Sequence, residues 1–125
     1  MSNVSTKMKH DVDPREAILQ KVGDISGFEI CNNEVLIAIY RRPEKTIGGI
    51  VLPKSNLDED LYQSKAGLVL KIGPSCDFPL VPIALHDWVL VRPADTYALE
   101  VNTVSCRLVY DKYIRVKIPT PELIW

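Results

Sequence analysis

The sequence predicts a mainly β fold: a small, partly closed β-barrel with a short helix in front of it and an extended C-terminal tail. Three observations predict it. Five or six short apolar runs of strand length are separated by Gly and Pro, one capped helical segment precedes them, and no internal repeat is present. The expected organisation is an N-terminal tail and docking helix over 1–27, a barrel over 28–118 and a tail over 119–125.

The elements follow in order. Residues 1–12 are polar and aperiodic and read as a tail. Asp13 is a good N-cap, Pro14 suits the first helical position, and Glu16 completes an Asp-x-x-Glu capping box. Ala17, Ile18, Leu19 and Val22 give this helix an apolar side, and Gly23 is its expected stop. Two or three turns cannot stand alone, so the helix must dock on something. Val35 to Tyr40 is the first strand. Its residues are apolar on both faces, which predicts cover on both sides, by its own core and by something else.

Ala66 to Ile72 is the second strand, closed by Gly73-Pro74. Ser75 to Leu85 is entered from Pro74 and carries Pro79 and Pro82 among apolar residues, so it reads as an irregular crossing. Asp87 to Arg92 is a third strand, stopped by Pro93. Tyr97–Val101 and Arg107–Ile118 supply the rest, around a turn at Asn102-Thr103.

Composition narrows the function classes. A chain of 125 residues fits one domain with a real core, and 46% hydrophobic with 25% charged residues is an ordinary globular mixture. A net charge of −1 gives no general drive toward nucleic acid or anionic lipid. No apolar run approaches the roughly 20 residues of a membrane span, and the N-terminus lacks the apolar core of a signal peptide. Three cysteines without paired spacing point to free thiols in a reducing compartment.

The most informative stretch is 43–53, Pro-Glu-Lys-Thr-Ile-Gly-Gly-Ile-Val-Leu-Pro. Gly48 and Gly49 accept positive φ, and Pro53 removes a backbone donor, so the segment is poorly suited to a central strand. Ile50, Val51 and Leu52 would each gain roughly 1.5–3 kcal/mol by leaving water, which makes them candidates for holding a partner surface. The alternative is a strand end packed in the protein's own core after a tight turn. At the other end, Leu123, Ile124 and Trp125 are costly to leave in water and are candidate anchors on a neighbouring subunit.

Other candidates favour plain structural roles. Cys31, Cys76 and Cys106 lack the close pairing of a metal site and read as buried thiols. His86 stands alone before Asp87-Trp88, and His10 lies in the tail; neither has a nearby nucleophile or ligand cluster. Asp58-Glu59-Asp60 lacks the alternating oxygen ligands of a calcium loop and reads as a solvated loop tip. Arg41-Arg42 is either a contact for an acidic partner or a solvated strand end. No catalytic residue, metal or cofactor is expected.

The order of these segments over Glu34 to Ile118 resembles the GroES-type co-chaperonin fold. The strand ending in Arg41-Arg42 is followed by Glu-Lys-Thr-x-Gly-Gly-Ile-Val-Leu and a polar loop. Gly67-Leu68-Val69-Leu70-Lys71-Ile72-Gly73 is similar to that family's Gly-x-Val-x-x-Val-Gly strand. Asp87-Trp88-Val89-Leu90-Val91 looks like its Gly-Asp-x-Val strand, and Cys106 to Ile114 resembles its closing strand. In the family the loop is mobile, and its apolar tripeptide docks in a groove on the chaperonin ring; the resemblance would make Ile50, Val51 and Leu52 the contact residues. The chain departs from the family where a glycine-rich hairpin is replaced by the proline-bearing 75–85 segment, and in its added helix and tail. These additions look more like the GroES-like proteins encoded among tailed-phage structural genes.

Two expectations remain. The favoured one is a non-enzymatic virion structural protein, a head decoration, cement or neck component assembled in the host cytoplasm, contacting copies of itself and a capsid or neck protein. The alternative is a cytoplasmic co-chaperonin capping a GroEL-type ring. An enzyme of the zinc alcohol dehydrogenase kind is set aside: there is no G-x-G-x-x-G, no Gly-His-Glu zinc signature and too little chain. No nucleic-acid, membrane or small-molecule partner is expected.

Overall fold

The Asp13 carboxylate accepts the Arg15 backbone N–H at 2.9 Å, which starts α1 (Pro14–Val22) where the sequence places it. The helix ends at Gly23, which sits at φ 72° and returns its N–H to the Leu19 carbonyl at 3.1 Å. The computed structural model describes residues 13–40 and 66–121. After α1 it contains β1 (Glu34–Ile39), β2 (Ala66–Ile72), β3 (Trp88–Leu90), β4 (Thr96–Val101), β5 (Val104–Tyr110) and β6 (Val116–Ile118). Short 3-10 turns stand at Pro93–Asp95 and Asp111–Tyr113.

All six described strands join one antiparallel sheet in the order β4-β5-β1-β2-β3-β6. The fold is therefore mainly β, as expected, but among the described residues the sheet is not closed into a barrel: β4 and β6 are its two edges. Two truncated strands account for the difference. The expected six-residue strand over 87–92 keeps its pairing for three residues only, with Pro93 close behind, and β6 is equally short, with Pro119 next. Closure needs tilted, staggered strands long enough to meet across the barrel, and these are not. The expected run over 107–118 is likewise cut in two by the Asp111–Tyr113 turn.

Both faces of the sheet are apolar, and both are covered by the chain itself. Leu36, Ala38, Tyr40, Leu68, Trp88 and Cys106 face one way and receive Ile18, Leu19 and Val22 of α1. Val35, Ile37, Ile39, Val69, Val89 and Val109 face the other way and receive Phe78, Ile83 and Ile114. A register shift between Leu36 and Ile37 moves the pairing from Leu36↔Lys71 to Ile37↔Val69. One extra residue in β2 reverses its alternation, so Ile72 joins Val69 on the second face while Lys71 leaves it. The strand that reads as covered on both sides thus finds its second cover in the 74–87 crossing.

The β4–β5 hairpin turns on Asn102 and Thr103, both at positive φ (49° and 68°), as a two-residue connection of type I′ requires. Asn102 also donates its side-chain amide to the Val22 carbonyl, an otherwise orphan acceptor at the end of α1. That bond and the buried Val22 side chain fix the helix to its face. On the same face, Tyr40 and Trp88 meet edge-on, with ring centroids 5.7 Å apart.

Candidate protein-docking surface

The segments to which the sequence assigns partner binding, Gly48 to Leu52 and Leu123 to Trp125, lie outside the described residues. His10, Arg41-Arg42 and Asp58–Asp60 do too. The described residues present a different apolar surface, built where the 74–87 crossing runs beside the Asp111–Tyr113 turn and β6.

The crossing is held at both ends by backbone chemistry. Gly73 donates its N–H to the Glu34 carbonyl at 2.8 Å, and Ser75 donates to Asn32 at 2.9 Å. The approach is so close that a Cβ on Gly73 would lie 2.4 Å from the Asn32 carbonyl oxygen, so only glycine fits. The Asp111 carboxylate then gathers the crossing from below. One oxygen accepts the Asp77 N–H at 2.8 Å; the other accepts the Lys112 N–H at 2.7 Å and the Asn33 side-chain amide at 3.2 Å. These donors, Asp77 first, hold the Asp111 carboxyl below its ordinary range. At the far end, Asp87 accepts the Ala84 N–H at 2.8 Å, and Lys117 reaches Asp87 at 3.4 Å and the Pro82 carbonyl at 3.3 Å.

With its ends fixed, the middle of the crossing is left standing beside β6. Phe78 and Ile83 turn inward to the core, whereas Leu80 is 92% exposed and Val81 53%. Between this segment and residues 111–117 lies an open groove of about 590 Å³. Its apolar lining includes Leu80, Val81 and Val116, the last 46% exposed, and Lys112 and Arg115 stand on the same wall. Such a surface can hold apolar side chains and a carboxylate. The prolines among apolar residues were the available signal, but they read equally well as a buried irregular segment.

The thiols divide. Cys106 is buried, as the sequence predicts, and desolvation pushes it up to about 11. Cys76 is half-buried, donates toward the Glu34 carbonyl at 3.4 Å, and is raised by the same cause. Cys31 corrects the expectation of a buried thiol: it is exposed, because the 24–33 segment that carries it runs outside the sheet. His86 occupies the crossing at φ 70°, where its N–H donates to the Val69 carbonyl at 2.7 Å, a backbone role. Among the described residues no three of His, Cys, Asp and Glu stand together in a group that could hold a metal ion. No described helix is long and apolar enough to cross a membrane.

Comparison with models of known protein families finds none that matches this chain, and comparison with curated proteins finds no match either.

Proposed function

We propose that this protein is a non-enzymatic assembly protein, a structural component of a tailed-phage particle that works by lending apolar side chains to neighbouring subunits. The observation that carries the reading is the unburied apolar edge of the crossing, Leu80 above all, on a scaffold whose core is otherwise closed on both faces. Each such side chain gains roughly 1.5–3 kcal/mol when a partner removes it from water. Repetition of a modest contact around an oligomer multiplies it by avidity. The apolar triplets Ile50-Val51-Leu52 and Leu123-Ile124-Trp125 add side chains suited to permanent contacts. The GroES-type order of segments and the added helix and tail give the reading its phage setting.

The Gly48-Gly49-Ile50-Val51-Leu52 sequence favours a second reading, a co-chaperonin that docks this tripeptide on a chaperonin ring. Mass spectrometry of washed, purified particles separates the two. The structural reading expects the chain among the particle proteins at a fixed copy ratio. Its absence there, with elution as a ring and stimulation of ATP-dependent refolding by a chaperonin, would establish the co-chaperonin instead.

A further inference from the structure

The groove beside β6 has a fitting occupant in the chain's own C-terminal residues. We propose that it receives Leu123, Ile124 and Trp125 from a second copy of this chain, so that copies join tail into groove. The inference rests on the assembly reading above and gives that reading its interface.

Chemistry matches the two. Leu80, Val81 and Val116 offer exposed apolar surface, and the tail supplies three apolar side chains, one of them a tryptophan. Glu122 precedes them, and Lys112 and Arg115 stand on the groove wall to meet its carboxylate. Two acids, Asp77 and Asp111, line the groove as well, but against Lys112, Arg115 and Lys117 the lining stays net positive, and Asp111 already accepts from Asp77, Lys112 and Asn33.

Chain direction selects a second copy over the same chain. β6 lines the groove with Val116 and Lys117, opposite Leu90 and Val89, and runs on to Ile118, opposite Trp88; Pro121 beyond it is buried. To enter its own groove the tail would have to reverse directly after a buried proline and retrace the strand. A neighbouring molecule's tail meets no such restriction.

The test places a benzophenone amino acid at position 125 of the full chain and mixes this protein with a nitrogen-15-labelled copy before illumination. We expect covalent dimers of mixed isotope, with position 125 joined to residues 77–83 or 112–117. Leu80→Asp should raise the concentration for half-association roughly 30-fold and remove the adduct. Its unfolding transition should stay that of the parent, because Leu80 is 92% exposed. Adducts confined to one chain, adducts elsewhere, or dimers indifferent to Leu80→Asp would overturn the proposal. A chain that stays monomeric, yet is found in particles, overturns it while leaving the assembly reading intact. Mixed dimers at this site from a chain absent from particles would sustain the interface and defeat that reading.

Discussion

The two faces of the sheet are covered in contrasting ways. On one, a regular helix with a side-chain cap at its start and an asparagine on its last carbonyl lays Ile18, Leu19 and Val22 onto the strands. On the other, an irregular crossing is tied by Gly73, Asp111 and Asp87 and presses Phe78 and Ile83 inward. A helix satisfies its own backbone, so its cover needs only an apolar stripe. The crossing must find a partner for each polar group separately, and in doing so it turns Leu80 and Val81 outward. The regular cover buries its apolar side chains within the chain; the irregular one leaves Leu80 and Val81 exposed.

The largest expected effect tests the helix side. Trp88→Ala removes a ring that is 2% exposed and packed edge-on against Tyr40, and we expect a loss of about 3–5 kcal/mol in denaturant unfolding. A loss under about 1 kcal/mol would show that this face is not packed as described. Gly73→Ala probes the other side. Its Cβ would collide with the Asn32 carbonyl oxygen, a backbone atom that cannot swing away, and overpacking of this kind costs about 1–3 kcal/mol. Hydrogen exchange should show increased opening in 74–87 before α1 is touched; equal opening in both would mean that the two covers are one cooperative unit.

Next in size is Asn102→Ala, which removes the amide from the Val22 carbonyl and leaves alanine at φ 49°. We expect about 1–2 kcal/mol, with faster exchange at the C-terminal end of α1. Asn102→Gly should recover the part due to backbone strain.

The smallest effect is electrostatic. The Asp111 carboxyl is held below its unfolded value by the Asp77 N–H and its other donors. A depressed carboxyl stabilises the fold fully above the unfolded pKa of about 3.9 and ceases to do so as pH falls through its lower folded value. Asp111→Asn should therefore be less stable than the parent at neutral pH, and the difference should shrink in acid. The group is only half-buried, so solvent screening keeps the effect modest. A difference that grows in acid would contradict the assigned hydrogen bonds.

Much of the fold was legible where a local rule governs it. The Asp13 cap with Pro14, the bounds of β2, and the turn at Asn102-Thr103 each follow from residues within a few positions of one another. Closure was not legible, because it depends on how many residues of β3 and β6 keep their pairing, a tertiary outcome that Pro93 and Pro119 only bound. Nor could sequence tell Leu80 from Ile83: both are aliphatic residues near prolines, and only the anchoring by Asp111 and Asp87 decides which turns inward. The expected binding residues 48–52 and 123–125 lie outside the described residues, and neither composition nor periodicity indicates the groove beside β6.

Sedimentation of the purified full chain over a wide concentration range, beside Leu80→Asp of matched stability, bears most directly on whether exposed apolar side chains are what this molecule works with. We expect the parent to associate reversibly and the variant to shift toward monomer. Monomers throughout for both proteins, or association untouched by the charge at position 80, would contradict it.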